Sequence, residues 1–159
     1  MRFRKELEIP GDLMDVRAVL DDPDFRDEVA RTAGADEVEV LVEEYDDGSV
    51  VATLDTVQST ASMPSIAQRF LGGELRIHQV ENWTSLDEAS LLVQIPGQPG
   101  QVIGTVTLIA RDGVTLQTVD ADISAKIPLL GGRVEKLIGQ ILGHVLKIQA
   151  AAAADRLAG

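Results

Sequence analysis

Hydrophobic and polar positions alternate with a period of two over much of the chain, and two kinds of interruption divide it into elements. Arg2 to Ile9 puts Phe3, Leu7 and Ile9 on one side and mostly charge on the other, which predicts a half-buried strand. Pro10-Gly11-Asp12 breaks it, with Asp12 as N-cap for a short helix over Leu13 to Leu20. Asp22-Pro23-Asp24 interrupts the chain again, and Asp24 or Pro23 opens a second helix, Phe25 to Thr32, which Gly34 ends. Alternation resumes at Glu37 to Tyr45, with Val38, Val40 and Val42 on one face, and returns through Asp46-Asp47-Gly48 as Ser49 to Val57. Gln58 to Gly73 is too long for a hairpin turn; Ile66 to Leu71 has helical spacing, so this segment reads as a short helix on a lid-like loop. Glu74 to Thr84 and Ala89 to Ile95 form the next pair. After Pro96-Gly97-Gln98-Pro99-Gly100, Val102 to Arg111 and Val114 to Ile127 pair across Asp112-Gly113, a type I′ hairpin signal.

In Val114 to Ile127, Val119, Ala121, Ile123, Ala125 and Ile127 share one face, while Thr118, Asp120, Asp122, Ser124 and Lys126 share the other. The predicted sheet therefore has one wet and one dry side. From about Arg133 toward Leu157 a helix places Val134, Leu137, Ile138, Ile141, Val145, Ile148 and Ala152 in one stripe, with Lys136, Gly143, Lys147 and Ala154 opposite. Such a helix is roughly 35 Å long at 1.5 Å per residue, enough to lie across a whole sheet.

The order β-α-α-β6-α with a long amphipathic last helix resembles the helix-grip fold of the START-like superfamily, which includes pollen-allergen-like proteins and polyketide cyclases. The run Lys126-Ile127-Pro128-Leu129-Leu130-Gly131-Gly132-Arg133-Val134-Glu135-Lys136 is similar to the strand-to-helix junction of an uncharacterised bacterial family in that superfamily. Met63-Pro64-Ser65-Ile66-Ala67 with Phe70 resembles its loop helix, and Asn82-Trp83 its strand end. The resemblance implies an α+β protein in which residues 1–159 form a single domain, a curved antiparallel sheet wrapped around a long C-terminal helix. It also implies an apolar cavity between sheet and helix.

Composition narrows the choice of function. Among 159 residues, 26 are acidic and 14 basic, a formal net charge of −12, which disfavours phosphate backbones and anionic membranes as partners. There are no cysteines, so thiol catalysis and thiolate metal sites are excluded. Arg2, Arg4 and Lys5 are followed by Pro10-Gly11-Asp12 rather than an apolar run, unlike a secretory leader. The stretch Val134 to Ala154 carries Glu135, Lys136, His144 and Lys147, which argues against stable membrane insertion. The expectation is a cytoplasmic protein. Aromatic residues make up only 3%, so aliphatic side chains must fill the interior.

Candidate chemistry is sparse. His78 and His144 are the only imidazoles, with no third group to orient either as an acid or base. Asp120, Asp122, Glu37, Glu39 and Glu43 alternate with apolar residues, as a solvated sheet face does, and no calcium-loop pattern is present. Gly131-Gly132 precedes a helix but lacks phosphate-loop spacing, and Ser59, Ser62 and Ser65 lack a nucleophile elbow. Gly139 and Gly143 have Gly-x-x-x-Gly spacing on the side away from the stripe, where they fit either a neighbouring subunit in a homodimer or tolerated flexibility.

No catalytic residue, metal or cofactor is therefore expected. The expected function is binding or transport of a small hydrophobic ligand, lipid or polyketide-like. The expected cavity walls and lid are Phe70, Trp83, Val106, Leu108, Val119, Ala121, Ile123, Ile138, Ile141 and Val145, with Met63 to Leu71 as lid and Phe70 as gate. The same side chains would also serve a solid core. Small residues at Gly104, Ala121 and Ala125, with few aromatics, favour a hollow one. The alternatives are a cyclase- or aromatase-like enzyme using the same cavity and a filled-core interaction module.

Overall fold

The computed structural model describes residues 1–159. Its elements are β1 (Arg2–Pro10), α1 (Leu13–Leu20), α2 (Pro23–Thr32), β2 (Glu37–Glu44), β3 (Val50–Ser59), α3 (Ser65–Leu71), β4 (Glu74–Trp83), β5 (Glu88–Gln94), β6 (Gly100–Arg111), β7 (Val114–Ala125) and α4 (Gly131–Ala158). The strands form one curved antiparallel sheet in the order β1-β7-β6-β5-β4-β3-β2. Four hairpins and the longer connection that carries α3 build β2 to β7, and α1 and α2 carry the chain from one edge of the sheet to the other. This is the expected β-α-α-β6-α helix-grip architecture.

Local chemistry explains most boundaries. The Asp22 side chain, rather than that of Asp24, caps α2 by accepting from the Asp24 N–H at 2.9 Å, and Pro23 occupies the first turn. Asp112 (φ 49°) and Gly113 (φ 83°) both take left-handed conformations, as the predicted type I′ turn requires. β7 stops at Ala125, two residues before the expected end. There the chain curls so that the Leu130 and Gly131 N–H groups reach the Ile127 carbonyl, and Glu135 of α4 accepts from the Ala125 N–H.

The orientation of α4 corrects the expected stripe. Its buried residues are Val134, Leu137, Gly139, Gly143, Leu146, Gln149, Ala150 and Ala153, while Ile138, Ile141, Val145 and Ile148 are only partly buried. Gly139 and Gly143 do not face away; they lie over Phe3, Lys5 and Ile123 on β1 and β7. Hydrophobic periodicity located the largest side chains, but backbones approach closest where side chains are smallest. Those glycines therefore do not provide a face for a second subunit. By length and composition α4 is also apolar enough to cross a membrane, a property that a core helix shares.

One prediction follows from this packing. A methyl group at Gly143 would meet Lys5 and Phe3 at 3.9–4.0 Å, an ordinary contact distance. Gly143→Ala is expected to stabilise the fold by about 0.5–1 kcal/mol through helix propensity alone. That corresponds to a rise in Tm of roughly 1–4 °C in thermal denaturation. A fall in Tm would contradict the placement of this helix face.

Candidate functional site

Because α4 rides close to β1 and β7, its larger apolar side chains stand over the other half of the sheet and leave a space between. A cavity of about 500 Å³ occupies that space. Its floor is β3 (Leu54, Thr56, Gln58), β4 (Leu75, Ile77, Gln79), Val93 of β5, and Gln101 and Val102 of β6. Leu137, Ile138, Ile141, Leu142 and Val145 of α4 form the roof. Ala30 of α2 and Ala33, just past its end, close one side, and Ser62, Met63 and Pro64, just before α3, close another. Of the 23 lining residues 15 are hydrophobic, and none is Asp, Glu, Lys or Arg.

The sequence-predicted residues divide sharply. Ile138, Ile141 and Val145 line the cavity. Phe70 lies just outside the wall, where its ring converges with Ile95 and Ile138 on Gly100. Trp83, Val106, Leu108, Val119, Ala121 and Ile123 do not line it; they belong to the packed core with Phe25, Leu146 and Ala150, Trp83 at the end of β4 and the other five on β6 and β7. The dry face was read correctly, but only the part under β3 to β6 is hollow. The signal that could have located it is the pair Gly139 and Gly143, which marks the closed side of α4.

A buried polar cluster borders the cavity. Arg26 of α2 and Glu81 of β4, at 2% and 5% exposure, form a two-pronged ion pair of 2.7 and 2.9 Å. Arg26 also donates to the Leu20 carbonyl at 2.6 Å. Glu81 accepts from Gln79 at 2.9 Å and from the Trp83 indole at 3.2 Å. Burial pushes the Glu81 carboxyl up, but the Arg26 charge and these hydrogen bonds outweigh it and hold the carboxyl below its ordinary value. Beside this cluster, the Arg17 guanidinium sits 4.4 Å over the Trp83 ring and donates to the Ser85 and Leu86 carbonyls. Sequence reasoning missed both arginines.

The other candidate groups lie apart. His78 is on the outer sheet face, 2.7 Å from Asp55, while His144 is at the exposed rim of the cavity, so the two do not converge. Asp120 pairs with Arg2 and Arg4 across β1. No group of three or more His, Asp or Glu side chains is arranged to hold a metal ion. The segment before α3 is tied at its neck by Thr60, whose hydroxyl donates to the Gly72 carbonyl and whose N–H donates to the Gly73 carbonyl.

The sequence profile of a family described as "Protein of unknown function (DUF2505)" matches residues 4–157. The chain belongs to the DUF2505 family. Rv0481c, an uncharacterized protein of Mycobacterium tuberculosis, is 32% identical over 111 residues, 65% of this chain and 63% of that protein. The match thus spans under two thirds of the relative's length. Among solved structures, this DUF2505 chain superposes on TTHA0849 of Thermus thermophilus with TM-score 0.66 at 16% identity, covering 98% and 96% of the two chains. For a START superfamily protein of Mycobacterium smegmatis the values are 0.60, 17%, 98% and 95%. The di-domain ARO/CYC StfQ of the steffimycin biosynthetic pathway gives 0.61 and 16%, covering 99% of this chain and 52% of that one. At these identities the likeness establishes the START-like helix-grip fold for this DUF2505 member.

Proposed function

We propose that this protein binds and carries a small hydrophobic ligand in the cavity under α4, without chemical turnover. The observation that carries the reading is an aliphatic cavity of about 500 Å³ with no charged side chain on its wall. That volume lies within the range of about 300–1,000 Å³ usual for ligand pockets. Apolar burial, worth roughly 25 cal/mol per Å² before the costs of association, supplies the affinity. The reading takes residues 1–159 as one domain, acting in the cytoplasm with no cofactor, metal or nucleic-acid partner. Met63 to Leu71 is the lid, and Phe70 covers the Gly100 end.

A cyclase-like enzyme would need at least two titratable groups facing the ligand. The wall offers only His144, and Glu81 is already engaged by Arg26. A filled-core module has no use for a ligand-sized hollow. The carrier reading is therefore preferred.

Native mass spectrometry of freshly purified protein tests it by reporting retained lipophilic mass, and Nile red titration tests it quantitatively. Ile141→Trp or Val145→Trp fills the cavity from the roof and is expected to weaken Nile red binding at least tenfold, with circular dichroism unchanged. Unaltered affinity in both variants would overturn the assignment of this cavity.

A further inference from the structure

Resting on the carrier reading, we propose that the cavity is selective for an uncharged ligand that donates a hydrogen bond to the Gln79 side-chain carbonyl: an alcohol, amide or enol rather than a carboxylate or phosphate ester.

Two independent features support this. The first is the absence of compensating charge. The polar residues on the wall are Thr56, Ser62, His144 and the neutral amides Gln58, Gln79, Gln101 and Gln140. An ionised headgroup would lose its hydration there and gain no cation in return, which strongly disfavours entry. The net charge of −12 adds a repulsive field outside.

The second feature is the fixed orientation of Gln79. A glutamine amide usually permits either assignment of oxygen and nitrogen, but its neighbour settles the matter here. Glu81 is fully engaged by the Arg26 guanidinium, and an ionised carboxylate only accepts hydrogen bonds. The group facing Glu81 at 2.9 Å must therefore be the Gln79 Nε2. Its Oε1 is turned away from Glu81 and accepts no hydrogen bond from the protein, while Gln79 itself lines the cavity. The buried ion pair thus acts at one remove. It fixes the orientation of one acceptor on the wall toward an otherwise apolar ligand, and it does so without exposing a charge.

Displacement of Nile red at pH 8 by three probes of equal chain length tests the proposal: 1-dodecanol, dodecyl methyl ether and dodecanoate. The alcohol is expected to bind at least tenfold more tightly than the anion and three- to tenfold more tightly than the ether, which cannot donate. Gln79→Met removes the acceptor at similar volume and is expected to erase the preference for alcohol over ether, read as the ratio of the two affinities within the variant. If dodecanoate or the ether matches dodecanol in the unmodified protein, this inference fails and the carrier reading stands. If Nile red and all three probes fail to bind, both fall together. The comparison in the unmodified protein decides the matter even if Gln79→Met does not fold.

Discussion

Arg26→Met is expected to destabilise the protein by about 3–5 kcal/mol, the usual cost of leaving a buried charge without its partner. For a chain of this size that is a fall in Tm of roughly 6–20 °C. Glu81, at 5% exposure, would keep only Gln79 and Trp83 as partners, and the C-terminal carbonyl of α1 at Leu20 would lose its donor. The pH dependence identifies the cause. In the unmodified protein the Glu81 carboxyl is held below its ordinary value, so its contribution is complete above the unfolded-state pKa. It is lost as pH falls through the lower folded-state value. Without Arg26, burial dominates and raises the carboxyl instead. The remaining stability is then greatest at low pH and falls as pH rises through the raised value. Urea denaturation should therefore show a larger deficit at pH 7 than at pH 4.5. The double variant Arg26→Met with Glu81→Leu should recover most of the loss, because a matched apolar pair leaves no charge behind. A deficit below about 1 kcal/mol, or one independent of pH, would contradict the role assigned to this pair.

The same pair shows where sequence reading stops. Alternation along β4 puts Leu75, Ile77, Gln79, Glu81 and Trp83 on one face, so a glutamate on the dry side was visible in principle. A charge there demands a partner. Nothing local says that the partner is Arg26, 55 positions earlier on another element. The strands, the Asp112-Gly113 turn and the long last helix were legible because each depends on residues within one or two turns of each other. The cavity was legible only as a layer, the dry face under the helix. Its position within that layer depends on which side of α4 approaches the sheet. That is a competition between the bulk of Ile138, Ile141 and Val145 and the closeness allowed by Gly139 and Gly143. Periodicity weighs hydrophobicity alone, so it found the cavity roof but not the close-packed side of the helix, and six of the ten predicted wall residues lie in the packed core.

Gly104→Ala is expected to cost about 3 kcal/mol, at the upper end of what overpacking usually does. Gly104 pairs with Ala121 across β6 and β7. A methyl group there would stand 2.2 Å from the Asp120 carbonyl oxygen and 2.5 Å from both the Cα and Cβ of Ala121. Two of those three atoms are backbone, so rotation of a side chain cannot relieve the clash. β7 also lies between β6 and β1, and moving it strains a second ladder and the surface on which Gly139 and Gly143 rest. From sequence, Gly104 is a small residue that leaves room for a ligand; in the fold it marks a place with no room at all. The two meanings predict opposite outcomes. If Gly104 provided empty space, alanine would be neutral or stabilising. If it permits close approach of two strands, alanine lowers Tm by roughly 6–12 °C. Gly132→Ala is the control, since a methyl at Gly132 meets nothing within 4 Å, and its expected change is within about 0.5 kcal/mol. Together with the gain expected for Gly143→Ala, one chemical change at three glycines should give a loss, little effect and a gain, the loss set by the backbone that the methyl would meet and the gain by propensity in the helix interior. A Gly104→Ala variant as stable as Gly132→Ala would contradict the close approach of β6 and β7 at this position.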